Sequence, residues 1–293
     1  MDPHGKTTTS TIVAYLLDNA NYKCDAFLGG ISTNFNSNFV FSNKSKVTVI
    51  EADEYDRSFL TLSPNIAIVT STDADHLDIY NEHSNLLVSF QDYVNKLPED
   101  GVLILKKGLE LDYNNTITYS ATEEADIYAC NLKIENSVYC FDVQTPNGLV
   151  KNVEVGLPGL HNVENALAAF AVGLELGLSI EVLKSGLENF KGVKRRFEYQ
   201  VKSNDVVYID DYAHHPTELN ACITSVRTMF PDKKITGVFQ PHLFSRTRDF
   251  ADDFSKSLSL LDELYLLDIY PARELPIEGV TSNMLLNKIN LEH

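Results

Sequence analysis

The first residues that could do chemistry are Gly5, Lys6 and Thr7, which stand directly before a helix-like stretch. In a phosphate-binding loop, backbone N–H groups surround the phosphates, a lysine reaches the β and γ oxygens, and a Ser or Thr hydroxyl ligates magnesium. His4 and Thr8 flank these residues as further parts of such a loop. A Gly-Lys-Thr tripeptide is common and can equally be a lysine near a helix start. The helix behind it and two acidic strand ends favour the phosphate loop.

Two predicted strands run into acidic residues at their carboxyl ends. KVTVIEAD reaches Glu51, and NIAIVTSTDADH reaches His76. The histidine lies among three aspartates: Asp73, Asp75 and Asp78. Open α/β sheets place ligands at these strand ends, and hard cations prefer oxygen ligands. We therefore expect one of the carboxylates Glu51, Asp53 and Glu54 to hold magnesium opposite Thr7, and His76 to be a metal ligand. The alternatives are a solvated acidic loop and a histidine satisfied by polar neighbours.

Further along the chain, two asparagines and two arginines are spaced so that each pair could bind part of a nucleotide. Asn162 and Asn165 are spaced i, i+3 at a helix start, so both amides can face one side and meet the edge of adenine. N-capping of the helix by one asparagine is the alternative, and in isolation it is the favoured one. Arg195 and Arg196 could clamp a phosphate bidentately, while a basic linker accounts for them about as well.

Two later strand ends are rich in titratable groups. DDYAHHP contains Asp211 and His214 before a helix that starts with proline, a density unusual for ordinary surface. FQPHLFSRTRDF places His242, Arg246 and Arg248 at a strand-to-helix turn, which is a good anion site.

The elements that must position these residues alternate between strands and helices, which predicts an α/β fold. We expect a central phosphate-loop-type domain over residues 1–194 with a mostly parallel sheet. Short strands over 116–155 predict a small antiparallel subsheet. Gly177 is a plausible helix C-cap. The alternation restarts after FKGVKRRFEYQ, so residues 195–293 form a partial Rossmann-like α/β domain.

Composition limits the function classes. With 293 residues, two domains are expected, and 44% hydrophobic with 22% charged residues is typical of a soluble globular protein. No apolar run approaches the ~20 residues of a membrane helix, so the cytoplasm is expected. The four scattered cysteines predict neither a zinc site nor disulfides. The net charge of -17 argues against nucleic-acid or anionic-membrane partners. Nothing in the sequence sets an oligomeric state.

Seven motifs together resemble the Mur ligase family, in order and in approximate spacing over nearly the whole chain. They are HGKTTT, EADEYDRSFL, ADHLDIY, GLHNVENALAA, GVKRRFE, DDYAHHPTEL and FQPHLFSRTRDF. The resemblance implies an ATP- and Mg²⁺-dependent amide ligase of peptidoglycan precursor synthesis. Its expected substrates are UDP-N-acetylmuramate and L-alanine, joined through an acyl phosphate.

The resemblance also implies roles for the candidate residues. Lys6, Thr7 and Glu51 would hold phosphate and the first metal, and His76 a second metal. The amides of Asn162 and Asn165 would face adenine, while Arg196 and Asp211 would bring the second domain onto ATP. His214 and Arg246 would lie near the amino acid, where an imidazole can take the ammonium proton near pH 7.

Several departures from the family pattern predict a weakened fragment of a longer ligase. Asp2 and Pro3 stand where the family has Gly-Thr, and they bring a negative charge and remove an N–H from the loop. We also expect the UDP-binding domain and the strand leading into the loop to be missing, and the second α/β unit to be truncated. Leu243 and Ser71 are smaller departures.

The expected behaviour is therefore weak or absent nucleotide binding and no turnover. Three alternatives stay open. They are an inert or merely nucleotide-binding fragment, another Mur-type ligase such as the murein tripeptide recycling ligase, and a phosphate-loop NTPase motor or switch.

Overall fold

The computed structural model describes residues 5–55, 57–73, 80, 82–135, 138–272 and 274–291. Contacts divide the chain into two compact units that meet in sequence between Lys194 and Arg195. His4 and His76, two of the predicted site residues, lie outside the described residues.

The first unit alternates helices and strands, with a 3₁₀ turn at Ser58–Thr61. Its helices are α1 (Lys6–Asn19), α2 (His83–Val94), α3 (Leu160–Glu175) and α4 (Ile180–Glu188). Its strands are β1 (Cys24–Ser32), β2 (Ser37–Val40), β3 (Val47–Ile50), β4 (Ile66–Val69), β5 (Val102–Lys106), β6 (Thr116–Ser120), β7 (Ile127–Glu135), β8 (Val138–Thr145) and β9 (Gly148–Val155).

These strands form two sheets. The first has the order β2-β1-β3, with β3 parallel to β1. The second runs from β4 to β9 in sequence order, parallel through β7 and antiparallel from β7 to β9. The predicted α/β class with a small antiparallel subsheet is confirmed.

The predicted start of the antiparallel part at Thr116 is wrong. Strand β6 pairs in parallel with β5, with Leu105 opposite Thr118, so the antiparallel part begins at Ile127. A short alternating strand shows in its sequence which side chains are buried, but it does not show the direction of its neighbour.

Apolar side chains cover both faces of the six-stranded sheet. The interior strand β5 is buried along Val102–Leu105, as expected of a parallel strand covered on both faces. Helices α1 and α3 contribute to one core cluster, and the 3₁₀ turn and α2 contribute to another. Small side chains on α3 are fully or almost fully buried: Ala166, Ala168, Ala169 and Ala171. Gly177, at φ 74, follows the end of α3 as predicted.

The second unit has four strands and four helices among its described residues. The strands are β10 (Glu198–Lys202), β11 (Val207–Asp210), β12 (Thr236–Phe239) and β13 (Glu263–Leu266). The helices are α5 (Pro216–Met229), α6 (Phe244–Asp249), α7 (Ala251–Leu258) and α8 (Ser282–Leu286). β10 and β11 pair antiparallel, while β12 and β13 pair parallel. None of the described helices of the chain has the length and apolar character needed to cross a bilayer.

Candidate active site

The predicted phosphate loop ends at the N-terminus of α1. Gly5 is the residue before the helix and has a left-handed backbone, φ 70 and ψ 3. A Cβ at this position would lie 2.2 Å from the Asn165 side-chain oxygen, so both the backbone angle and the space require glycine. The first turn of a helix directs backbone N–H groups and a partial positive charge outward. This end of α1 therefore has the geometry of an anion site.

Thr7 and Glu51 are brought together, as the sequence predicts. The Thr7 hydroxyl donates to Glu51 Oε1 at 2.8 Å, and the backbone N–H of Gly29 donates to Glu51 Oε2 at 2.7 Å. Glu51 directly follows β3, and Gly29 lies in the neighbouring strand β1. Adjacent ligands of an octahedral Mg²⁺ at about 2.1 Å lie about 3 Å apart, so this oxygen pair fits a shared magnesium ion.

Lys6 is held by Glu54, which the sequence alone offers only as one of three carboxylates for magnesium. Its Nζ lies 2.5 Å from Glu54, whose residue is only 6% exposed. Glu54 stands three positions after Glu51 in the same acidic strand end, which is the signal that could have found it. All three side chains line one cavity of about 550 Å³ in the first unit.

Asn162 and Asn165 lie on the same side of α3 and are both buried. Asn165 Nδ2 donates to Asn162 Oδ1 at 3.2 Å, and the Thr9 hydroxyl donates to Asn165 Oδ1 at 3.2 Å. Asn162 Nδ2 in turn donates to the Pro158 carbonyl at 2.6 Å. The helix is capped by Gly159, so neither asparagine is its N-cap. The adenine-facing role stays a prediction, and in this structure the pair supports the turn at Gly5.

The remaining predictions for this unit concern Thr8, a metal site and the cysteine thiols. Thr8 is buried in the first turn of α1. Within the described part of the chain, no group of three or more His, Cys, Asp or Glu side chains could hold a metal ion. Burial raises the pKa of the Cys24 thiol to about 11, so it stays protonated at neutral pH.

In the second unit, Asp211 connects two backbone segments. Its Oδ2 accepts from the Phe197 N–H at 2.7 Å and its Oδ1 from the Ala213 N–H at 2.8 Å. Beside it, the Arg196 guanidinium lies 5.3 Å from the centre of the Tyr212 ring, a cation–π distance. These contacts place Arg196 and Asp211 at the same end of β11.

His214 has the features of a neutral imidazole base. Its Nδ1 lies 2.9 Å from the Tyr212 carbonyl oxygen, which can only accept, so Nδ1 carries the proton and Nε2 the lone pair. Burial lowers the pKa of His214, and the positive charges of Arg246 and Arg196 lower it further. The carboxylate of Glu218, 3.3 Å from Nδ1, acts in the opposite direction.

Arg246 joins the same cluster. Its Nη1 lies 3.5 Å from His242 Nδ1, and the rings of His242 and His214 are 6.0 Å apart between centres. Arg248, by contrast, bonds the exposed Asp249 at 2.6 Å. In the second unit His242 therefore links His214 to Arg246. Arg196 is connected to His214 through the ring of Tyr212, whose centre lies 5.1 Å from that of the His214 ring.

Family models match most of the chain. The Mur ligase middle domain matches residues 3–173, and the Mur ligase glutamate ligase domain matches residues 195–293. The chain belongs to the Mur ligase family. The resemblance drawn from the seven motifs is thereby confirmed.

Two relatives show where in the family this Mur ligase chain lies. It is 54% identical over 287 residues to the UDP-N-acetylmuramate–L-alanine ligase of Christiangramia forsetii. It is 52% identical over 286 residues to the enzyme of the same name from Flavobacterium psychrophilum. Each comparison covers 98% of this chain and 63% of the relative. The chain therefore spans less than two thirds of the length of these curated relatives.

Solved Mur ligases have the same fold. UDP-N-acetylmuramate-alanine ligase MurC from Thermotoga maritima matches with a TM-score of 0.82 and 27% identity, over 98% of this chain and 62% of that one. The murein peptide ligase Mpl of Psychrobacter arcticus matches with a TM-score of 0.63 and 25% identity, over 90% and 61%. A Thermotoga maritima MurF ligase in complex with ADP, 19% identical with a TM-score of 0.72 over 90% and 64%, shows the shared fold alone.

Proposed function

We propose that this chain is the ATP-binding and amino-acid-binding part of a cytoplasmic ligase that joins L-alanine to UDP-N-acetylmuramate in peptidoglycan precursor synthesis. In this proposal residues 1–194 bind ATP and residues 195–293 bind the amino acid. The observation that carries it is the contact of Thr7 with Glu51 beside Lys6, at the start of a helix suited to an anion. The names of the 54% and 52% identical relatives support the choice of substrates.

The residues of the first unit hold and orient ATP. The backbone N–H groups after Gly5 receive phosphate oxygens, together with the preceding His4 and the hydroxyl of Thr8. Lys6 must leave Glu54 to reach the β and γ oxygens. Asn162 and Asn165 would hold adenine, and the ADP complex of a MurF ligase with this fold supports nucleotide binding in the family.

Magnesium is assigned to the oxygen pair that fits it, Thr7 and Glu51, and a second ion to His76. A bound Mg²⁺ supplies positive charge that stabilises the negative charge developing on phosphoryl oxygens. Glu51 is already fixed for this task by the Gly29 N–H, which leaves Oε1 on the Thr7 side.

The second unit supplies the groups for amide formation. His214 Nε2 takes a proton from the alanine ammonium group, because its lowered pKa keeps the imidazole neutral at pH 7. The muramate carboxylate would take the γ-phosphoryl group of ATP and release ADP, which gives an acyl phosphate. The alanine nitrogen would attack its carbonyl carbon, and the tetrahedral intermediate would collapse as the C–O bond breaks and phosphate leaves. Arg246 and Arg196 would stabilise the negative charge on these oxygens. Asp211 keeps Arg196 in place through its bonds to the flanking backbone.

Taken alone, this chain is proposed to bind Mg-ATP weakly or not at all and to show no turnover. It spans 63% of the length of its relatives, and Asp2 and Pro3 weaken the loop by charge and by the missing N–H. Calorimetric titration with Mg-ATP, followed by phosphate release with and without UDP-N-acetylmuramate and L-alanine, tests this directly. Alanine-dependent release by the chain alone would contradict its inactivity without touching the ligase assignment.

The ligase assignment itself is tested in a longer protein. Residues 5–291 are placed in the Christiangramia forsetii ligase in exchange for the matching segment, and phosphate release is measured. We expect release that requires both UDP-N-acetylmuramate and L-alanine, and we expect Lys6→Met to abolish it. Release driven by a tripeptide in place of L-alanine would favour the murein peptide ligase. Hydrolysis that needs no carboxylate substrate would refute the ligase.

A further inference from the structure

A buried carboxylate of the second unit has no part in the reaction as proposed so far. Glu218 is the third residue of α5 and is only 1% exposed. Its Oε2 accepts hydrogen bonds from the backbone N–H groups of His214 at 2.5 Å and of His215 at 2.7 Å. Such bonds are typical of a capping box, in which a glutamate of the first turn bonds back to the backbone ahead of the helix. Helix capping is therefore the alternative to any role in the reaction.

The same carboxylate also lies against the imidazole ring of His214. Glu218 Oε2 is 3.3 Å from His214 Nδ1, the ring nitrogen whose proton is fixed by the Tyr212 carbonyl. A capping box needs only the bonds to the backbone, so this contact with the ring is additional. The His214 side chain is 31% exposed, so part of the ring is accessible to a substrate. Glu218 therefore holds the proposed base at both its backbone and its ring.

Several surroundings of His214 disfavour a positive charge on its ring. Burial lowers the pKa of His214, and the guanidinium groups of Arg246 and Arg196 lower it further. His214 also stands just before the N-terminus of α5, which carries a partial positive charge. The carboxylate of Glu218 raises the pKa of His214 and so acts against all of these. A protonated His214 therefore depends on Glu218.

Other titratable groups near this ring have different contacts. The rings of Tyr212 and His242 approach that of His214, with 5.1 and 6.0 Å between centres. Asp211 accepts hydrogen bonds from two backbone N–H groups, and Glu274 accepts one from a backbone N–H group of α6. Glu218, by contrast, is the carboxylate that lies against the imidazole itself.

We propose that Glu218 is a positioning residue of the ligase, which stabilises the imidazolium form of His214 after this residue takes a proton from the alanine ammonium group. In this step an N–H bond of alanine breaks and an Nε2–H bond forms, so alanine becomes a neutral amine and His214 a cation. Glu218 stays ionised beside Nδ1–H, and the proton later leaves Nε2 for solvent. The inference rests on the proposed role of His214 as the base.

The reason for such a residue is the direction of the proton transfer. An α-ammonium group holds its proton more tightly than an imidazole does, so the transfer to His214 is uphill. Each further lowering of the pKa of His214 makes the transfer more uphill and slower. Burial and the two arginines keep the imidazole neutral at pH 7, and Glu218 limits how far they weaken it as a base. A third group that supports the base in this way is common among enzymes with a histidine base.

The first test measures the pKa of His214 in the full chain. The Cε1–H signals of the histidines are followed by NMR over the pH range in which imidazoles titrate, and His214→Gln assigns the signal. Glu218→Gln removes the charge but keeps an oxygen that can accept the backbone bonds, so it should lower the pKa of His214 by at least about one unit. Glu263→Gln is the control, since it removes the same charge from a 39% exposed side chain paired with Lys234, and it should leave this pKa unchanged.

A shorter carboxylate gives a second variant. Glu218→Asp keeps the charge but draws it back by one methylene group, so it should lower the pKa of His214 by less than Glu218→Gln does. If Glu218→Gln fails to fold, Glu218→Asp decides, because a role of the charge still requires a lowered pKa. An unchanged or raised pKa of His214 in these variants would overturn the proposal and leave Glu218 as a helix cap.

The second test measures kcat for phosphate release against pH in the chimeric ligase. In Glu218→Gln we expect the maximal kcat to fall at least about tenfold and the acidic limb of the profile to move to lower pH, with KM for ATP unchanged. A residue that only caps α5 would not move this limb, so an unshifted limb would overturn the proposal. An equal loss of kcat in Glu263→Gln would do the same. Absence of alanine-dependent release by the unaltered chimera would instead refute the ligase assignment, and this inference with it.

Discussion

Replacing Lys6 by methionine should destabilise the first unit, because it removes the ion pair between the Lys6 ammonium group and the buried carboxylate of Glu54. The two side chains are 27% and 8% exposed, and their closest atoms are 2.5 Å apart. Breaking a buried pair costs about 3–5 kcal/mol and an exposed pair about 0–1 kcal/mol. This pair lies between these cases, so we expect Lys6→Met to cost about 2 kcal/mol.

The partner substitution should cost less. In Glu54→Gln the remaining ammonium of Lys6 can reach water, so we expect a loss of about 1 kcal/mol. The double variant should lose less than the sum of the two, with a coupling energy of about 1 kcal/mol. Urea unfolding of all four proteins measures this cycle, and in thermal unfolding Lys6→Met should lower Tm by roughly 4–8 °C.

A coupling energy near zero would refute the reasoning, since the contact would then contribute nothing beyond what each side chain does alone. A loss in Glu54→Gln larger than that in Lys6→Met would also refute it. The cost would then come from the packing of Glu54 and not from the loss of its ion pair with Lys6.

Three further predictions follow from contacts at the site. Gly5→Ala should cost about 2–3 kcal/mol of unfolding free energy, because the backbone has φ 70 and the new Cβ would lie 2.2 Å from the Asn165 side-chain oxygen. Gly177→Ala is the control: the backbone has φ 74 but the space around it is open, so it should cost only about 1 kcal/mol. Gly29→Ala, with its Cβ 2.3 Å from Glu51 Oε1, should raise the magnesium concentration needed for half-maximal phosphate release in the chimeric ligase. The free energy of unfolding should fall as the pH drops below about 6.5. The pKa of His214 is lower in the folded chain, so the unfolded chain binds more protons in this range. In urea unfolding, His214→Gln should reduce this dependence of stability on pH.

Each of these has an outcome that contradicts it. Equal losses of unfolding free energy in Gly5→Ala and Gly177→Ala would show that the Asn165 side chain moves away from the new Cβ at little cost. An unchanged magnesium requirement in Gly29→Ala would show that Glu51 is not a magnesium ligand. A pH slope that persists in His214→Gln would assign the titration to other groups.

Local sequence predicted the helices and strands, and it also predicted which strand ends bear the polar side chains of the candidate site. The phosphate-loop tripeptide and the acidic strand end pointed to one anion and metal site, and Thr7 does contact Glu51. This worked because the carboxyl ends of parallel strands meet at one edge of a sheet. The partner of Lys6 was harder to assign, since EADE contains three carboxylates and only the fold selects Glu54.

Other features depend on contacts between distant segments and could not be read from local pattern. Strands β1 and β2 carry no motif and were not singled out, although β1 supplies the Gly29 N–H that orients Glu51. The i, i+3 spacing showed that Asn162 and Asn165 share a side, but not that their amides bond to each other and to Thr9. The gathering of His214, His242 and Arg246 depends on the packing of two strand-to-helix turns, which the spacing does not show.

The hydrogen bond from Thr9 to Asn165 spans 156 positions of the chain. The turn that we propose to bind phosphate is therefore not a self-contained local motif, even though its own residues are contiguous. During synthesis, which proceeds from the N-terminus, Gly5 emerges long before α3 exists to support it. The proposed anion-binding end of α1 thus acquires its final shape only when the ribosome has completed most of the first unit, so a nucleotide bound there would not assist the earlier steps of folding.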